Sequence, residues 1–286
     1  MKLDTHTRYL IVHADDGGLC RSVNRAIIDS LNNGTVTSTS LMAPTPYFDE
    51  IAHQLSQMPD VDVGVHVTLN CMYEKSPWKP VAPPDAVPSL INADGFFHGT
   101  VENFAAHATP DDVKTEIRAQ IVRFFELGLK PSHIDTHQGT IFLNLKFLEI
   151  YIELAREFNL IPMLLKPNDF TKKLIQSRGI PLNLEDLQKV TQTDLPFLDF
   201  LFMADIHGKN TYEEHKKTYH QIIQQLPEGL SQIIIHPGYD DDELKALTIF
   251  SYNREYDLDV FTSEETRTLL KQENIRLINW GNLKHN

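Results

Sequence analysis

Cysteine is scarce, long apolar runs are missing and basic residues are outnumbered, and each shortage closes off a class of protein. Two cysteines in 286 residues, Cys20 and Cys71, make no disulfide framework, and their spacing matches no zinc ribbon. They read as free thiols in a reducing compartment and receive no catalytic role. The N-terminal stretch MKLDTHTRYLIVHADD holds only a four-residue apolar run before charged residues, too short for a secretion-signal core, and no later stretch reaches spanning length. A cytoplasmic protein with no membrane contact is expected. With 26 Lys and Arg against 39 Asp and Glu, the formal net charge is -13 and no basic cluster departs from it. Such a surface repels a phosphate backbone, so nucleic acid and anionic membrane are poor partners.

What is present suits one α/β domain covering residues 1–286, since 41% of the chain is hydrophobic and no fixed-period repeat or low-complexity tract interrupts it. Short apolar runs at 9–14, 62–69, 132–137, 232–236 and 275–280 read as strands. Between them, helical spacing marks 22–34, 47–58, 109–128, 145–158, 212–226 and 263–273. The clearest helix has Thr109 as N-cap, Pro110 at its first position, Asp111 and Asp112 in its first turn, an apolar face of Val113, Ile117, Ile121 and Phe124, and Gly128 as its stop. Repeated β-then-α order implies a parallel sheet with helices outside. At this length a (β/α) barrel, distorted or incomplete, is the natural solution, with an open doubly wound sheet as the alternative. Residues 71–100 break the pattern with Pro77, Pro80, Pro83, Pro84 and Pro88, forming an irregular excursion that is either a wall over a site or a plain insertion.

The polar residues that end the strands carry the chemistry. HADDGG at 13–18 puts adjacent acids, Asp15 and Asp16, at a strand terminus, where barrel and open α/β enzymes keep their functional groups, although an isolated Asp-Gly turn reads the same way. In GVHVTL at 64–69, Gly64, His66 and Thr68 share one strand face, so the His66 imidazole sits alongside a glycine that leaves space; a satisfied core histidine is the plain alternative. HIDTHQGT at 133–140 places His133, Asp135 and His137 on one side over about 13 Å, at about 3.3 Å per residue. Imidazole and carboxylate together suit zinc and other divalent metals, and a carboxylate beside a histidine fixes its tautomer. IIIHPGYD at 233–240 ends a β-branched strand in His236, Pro237 and Gly238, which projects His236 at the functional rim. DIHG at 205–208 is a weaker example of such a strand end. Four strand ends of this kind in one chain favour a single site.

Taken together, VHADDGG at 12–18, NGTVTSTSLM at 33–42, GVHVTL at 64–69, HIDTHQG at 133–139 and IIHPG at 234–238 resemble the YdjC-type carbohydrate deacetylases, the group that includes chitooligosaccharide deacetylase, across most of the chain. The resemblance implies a barrel-like fold and removal of N-acetyl groups from amino sugars with a divalent metal, Mg or Zn. It implies Asp16, His66 and His137 as metal ligands, Asp15 as general base and His236 as the residue that assists the leaving group, with His133 and Asp135 in support. Arg254, in SYNRE at 251–255, lies near a similar family segment and is expected to orient the site through a carboxylate, a surface ion pair being the alternative. Two positions depart from the family pattern: Gly17 stands where phenylalanine is common, and Gly139 where another histidine often follows. Both border the pocket and leave the three ligands intact.

The expected partner is therefore a small N-acetylated amino sugar, with Tyr73, Trp78, Phe96 or Phe97 offering a flat face to its ring or serving as packing. A homodimer stays open because many barrels dimerise. Two competing functions keep the same site: a metal-dependent barrel enzyme of another reaction, such as a different amide hydrolase or a sugar isomerase, and a non-catalytic sugar-binding protein.

Overall fold

The computed structural model describes residues 3–58, 60–190, 195–204 and 211–284. In chain order the first half runs β1 (Arg8–Gly17), α1 (Arg21–Asn33), β2 (Ser38–Leu41), α2 (Phe48–Ser56), β3 (Val63–Val67), α3 (Val101–His107), α4 (Pro110–Glu126), β4 (His133–Thr136) and α5 (Leu145–Glu157). The second half runs β5 (Ile161–Pro162), α6 (Asp169–Arg178), α7 (Leu184–Val190), β6 (Phe200–Met203), α8 (Tyr212–Gln224), β7 (Gly229–Ile235), α9 (Asp242–Leu247), α10 (Ser251–Thr262), α11 (Glu264–Gln272) and β8 (Arg276–Leu277). Thr109 caps α4 by accepting from the Asp112 amide, with Pro110 at the first position, as its sequence demands. No described helix is long and apolar enough to cross a membrane.

All strand pairings are parallel, in the order β5-β4-β3-β2-β1-β7-β6, and β8 pairs with β1. Because β7 occupies one edge of β1 from Arg8 to Ala14, β8 and β2 share the other, at Tyr9–Leu10 and from His13 onward respectively. The sheet curls until its ends meet: Leu165 just beyond β5 bridges in parallel to Leu198 just before β6, with Lys166 N–H donating to Leu198 O and Leu198 N–H to Leu164 O. One bridge closes the ring, so the fold is a distorted barrel and the open doubly wound sheet is ruled out.

Strand periodicity then sorts the side chains. On β1, Leu10, Val12 and Ala14 join the large apolar cluster under the helices. Tyr9 and Ile11 face the other way, into a smaller cluster with Leu198, Leu230, Ile278 and Trp280 that fills the lower barrel. The next inward positions of β1 are His13 and Asp15. The interior is thus apolar at its base and polar at the carboxyl ends of the strands.

The chain departs from the sequence expectation where elements are short. β2, β5 and β6 have four, two and four residues and show no alternation of polar with apolar, and the 275–280 strand is reduced to Arg276–Leu277 before a turn at Trp280. The DIHG segment at 205–208 lies outside the described residues.

The 71–100 segment contains only two single-turn 3₁₀ helices, Pro84–Ala86 and Pro88–Leu90, and a bridge between Ile91 and Phe97. It is fastened by Glu116 of α4, whose carboxylate accepts from the Val81 and Ala82 amides at 3.0 and 2.9 Å and from Gln120 Nε2 at 2.7 Å. Gln120 in turn bonds both backbone groups of Thr68, at the end of β3. Burial pushes Glu116 up to about 7 against the pull of those donors. Because the folded pKa lies above the ordinary value of 4.5, the stability it contributes is fully present below pH 4.5 and is lost as pH rises through about 7. Urea unfolding of the wild type and Glu116→Gln at pH 5 and pH 8 is expected to show the wild type's advantage shrinking at the higher pH by on the order of 2 kcal/mol. An advantage that grows with pH would show that the ionised carboxylate is the better anchor.

Candidate metal centre and active site

A regular strand would send Asp15 and Asp16 to opposite faces, yet both line one cavity of about 760 Å³. The cause is local: the register between β1 and β2 slips between Ala14 and Gly17, and Asp16 adopts φ 67°. A positive φ at a non-glycine residue costs about 1–3 kcal/mol and persists only where surroundings enforce it. Here Arg254 Nη2 donates to Asp16 Oδ2 at 2.5 Å. Gly17 lets the slipped strand lie against β2, since a Cβ there would sit 2.2 Å from Leu41 Cδ2.

Opposite Asp16, β3 and β4 present the imidazoles. His66 Nδ1 lies 2.7 Å from Asp135 Oδ1, which directs His66 Nε2 toward Asp16 Oδ1 at 3.6 Å and Asp15 Oδ2 at 4.0 Å. His137 Nδ1 lies 3.2 Å from Asp16 Oδ1. Burial works against ionised Asp16, but Arg254 and the two rings hold its carboxyl well below the usual carboxylate range. Burial also opposes a charged His66, yet Asp135 and Asp15 raise it well above the ordinary histidine value. The space left by Gly64 is filled by His133: a Cβ on Gly64 would stand 2.2 Å from His133 Nε2. His133 stacks on Trp280 and burial lowers its pKa to about 4, so it is a neutral packing group beneath the site.

The sequence passed over His13. Its Nε2 lies 2.9 Å from Asp135 Oδ2, 3.0 Å from Asp15 Oδ1 and 3.1 Å from Ser40 Oγ, and its Nδ1 lies 3.0 Å from Ser38 Oγ. Burial disfavours its charge, but Asp135 and Asp15 outweigh burial and raise it to about 9. His13 therefore lies between two carboxylates that favour its charged form. The only signal for it was strand parity with Asp15.

At the rim, His236 follows β7 and lines the cavity with Arg254. Its amide donates to Asp257 Oδ2 at 2.7 Å, and Asp257 Oδ1 lies 2.6 Å from His215 Nε2 of α8. Burial lowers the His236 pKa and Arg254 adds to that, while Asp16 and Asp15 oppose it. Arg254 is buried in α10, so the surface-ion-pair alternative fails. Of the four candidate aromatics, Tyr73 lines the cavity and Trp78 packs 6.0 Å from His137, ring to ring. Phe97 is core and Phe96 lies under Lys79, so neither reaches the cavity.

Among the described residues, three overlapping groups have donor atoms close enough to hold an ion: Asp16–His66–His137, His13–His133–Asp135 and Asp15–His66–Asp135. Only the first has all its members on the cavity wall. Asp135 is already shared between His13 and His66, and His13 is committed to carboxylates, which disqualifies the other two. Metal–donor bonds of about 2.1 Å at tetrahedral angles put donors about 3.4 Å apart. The 3.2 and 3.6 Å separations from Asp16 Oδ1 fit that ion. Three protein donors would leave coordination positions open to the cavity, the arrangement of a catalytic rather than a structural site.

Two outcomes follow. Asp135→Asn should weaken divalent-metal affinity about 10–100-fold by releasing the His66 tautomer, measured by competition with a chromogenic chelator; unchanged affinity would remove Asp135 from that role. Gly64→Ala should cost about 2 kcal/mol in urea unfolding, and the added His133→Ala should recover part of it. Additive losses would show that the ring is not what the methyl meets.

A family profile described as YdjC-like protein matches residues 9–272. A carbohydrate deacetylase from Thermoanaerobacter pseudethanolicus is 30% identical over 278 residues, 97% of this chain and 100% of that protein. A chitooligosaccharide deacetylase from Yersinia pestis is 28% identical over 273 residues, covering 94% and 97%. The crystal structure of a candidate cellobiose-phosphate cleavage protein from Enterococcus faecalis superposes with a TM-score of 0.78 at 26% identity, covering 98% of this chain and 100% of that one.

Proposed function

The chain belongs to the YdjC-like family, and from that premise we propose that it is a metal-dependent hydrolase that removes acetyl groups from N-acetylated amino sugars or short oligosaccharides. The observation that carries this reading is the convergence of Asp16, His66 and His137 on one cavity wall with Asp15 beside them and His236 across the rim. The relatives named as carbohydrate and chitooligosaccharide deacetylases support the substrate class.

Asp16, His66 and His137 would hold a divalent ion, magnesium or zinc, which supplies Lewis acidity toward an amide carbonyl and toward water. Asp15 then acts as general base, removing a proton from the attacking water, and His13 holds its carboxylate in place from behind. Arg254 keeps Asp16 turned to the cavity. His236, whose backbone amide is held by Asp257, would, once protonated, donate to the departing amine. Acetate and a free amino sugar are the products. Tyr73 lines the cavity from the 71–100 segment, Trp78 packs against His137, and the two help exclude solvent.

The test is acetate release from N-acetylglucosamine, diacetylchitobiose and their 6-phosphates, using metal-stripped protein resupplied with Zn, Mg, Mn or Co. Metal-dependent release is expected, and His137→Ala and Asp15→Asn should each lower it by at least about 10²-fold. Conversion of a sugar without acetate would favour an isomerase. Tight sugar binding without turnover in any metal, unaffected by Asp15→Asn, would favour a binding protein.

A further inference from the structure

The cavity of about 760 Å³ extends well beyond the metal centre. Cavities of roughly 300–1,000 Å³ enclose drug-sized ligands, so there is room for more than one N-acetylated sugar ring. The wall away from Asp15 is formed by Leu165 beyond β5, Leu174 and Ile175 of α6, Leu182, Leu187 of α7 and Phe202 of β6. None of these side chains can donate or accept a hydrogen bond. A pyranose ring carries hydroxyls around its edge, and each one buried there would lose a water partner without gaining another.

The way α6 is turned makes the wall more than a packing remnant. Thr171, Leu174, Ile175 and Arg178 follow one another at helical spacing and all line the cavity. Lys172, Lys173, Gln176 and Ser177 on its other faces are exposed. Leu174 and Ile175 stay half-buried on the cavity wall, Ile175 packing against the core as well. The face of α6 turned to the cavity is apolar at its centre, Leu174 and Ile175, with Thr171 and Arg178 at its two ends.

Resting on the deacetylase reading, we infer that the sugar substrate carries an apolar alkyl or aryl substituent, which lies along α6 and α7 while the amide sits at Asp15 and His236. Two parts of a sugar could bear it: the aglycone or the N-acyl chain. Burying one methylene tightens binding by about fourfold, so partial coverage of an octyl chain suffices for a tenfold effect.

Calorimetric binding is to be measured with zinc-loaded Asp15→Asn protein, which separates affinity from turnover. The ligands are the methyl and octyl glycosides of N-acetylglucosamine and N-octanoylglucosamine, below their micellar concentrations. One long-chain ligand should bind at least tenfold tighter than the methyl glycoside; a preferred octyl glycoside identifies the aglycone, and a preferred N-octanoyl sugar identifies the acyl group. Leu174→Asp, and Leu174→Trp as a variant that fills the space, should bring that advantage within twofold without shifting the thermal midpoint or methyl-glycoside affinity. Equal affinities for all three, no binding by any, or a chain preference surviving both variants would overturn the inference. Acetate release without chain preference would remove only the apolar arm; chain preference with neither acetate nor octanoate released by the wild type would remove the assigned reaction and leave the arm standing.

Discussion

Everything at the site depends on how β1 ends. Asp16 takes a left-handed backbone, the ladder to β2 slips beside it, and two adjacent carboxylates enter the same cavity. Arg254 holds that geometry from α10, more than two hundred residues away in sequence. Without the slip, one of the two acids would point into the helix layer, where an unpaired carboxylate is not tolerated. The backbone strain is therefore tied to presenting two consecutive carboxylates, Asp15 and Asp16, to one cavity.

The same region concentrates charge that would be prohibitive if left uncompensated. Asp15, Asp16 and Asp135 are buried, and their partners are the Arg254 guanidinium and the His13 and His66 imidazoles. Asp135 bridges two rings from below, so the histidine above it is held by one nitrogen and offers the other. The neutral His133, stacked on Trp280, closes the layer underneath and separates this polar network from the apolar barrel base. The division of labour follows position along each strand: packing low, tautomer control in the middle, cavity-facing donors at the top.

Much of this was legible in the sequence because the informative signals are short-range. Period-two spacing grouped His133, Asp135 and His137, and it placed Gly64 beside His66; the glycine then proved to be the space that His133 occupies. The capped, periodic α4 was legible to within two residues at its C-terminal end. The two-residue β5 carries too few positions to show a period, and β2 (STSL) and β6 (FLFM) do not alternate polar with apolar as the equally short β4 does. The sequence assigned His13 no role because its partners Ser38, Ser40 and Asp135 come from two other strands. Asp257 and His215 were invisible for the same reason: each is an unremarkable helical residue until the fold brings them under His236. The slip at Asp16 has no local sequence signature beyond the two glycines that follow.

The most direct test is an anomalous-difference map from crystals of this protein grown with manganese. The account predicts one strong peak per chain between Asp16 Oδ1, His66 Nε2 and His137 Nδ1, with Asp16 still in its left-handed conformation. A peak lying instead among His13, His133 and Asp135, or no peak at a manganese concentration that supports activity, would contradict it.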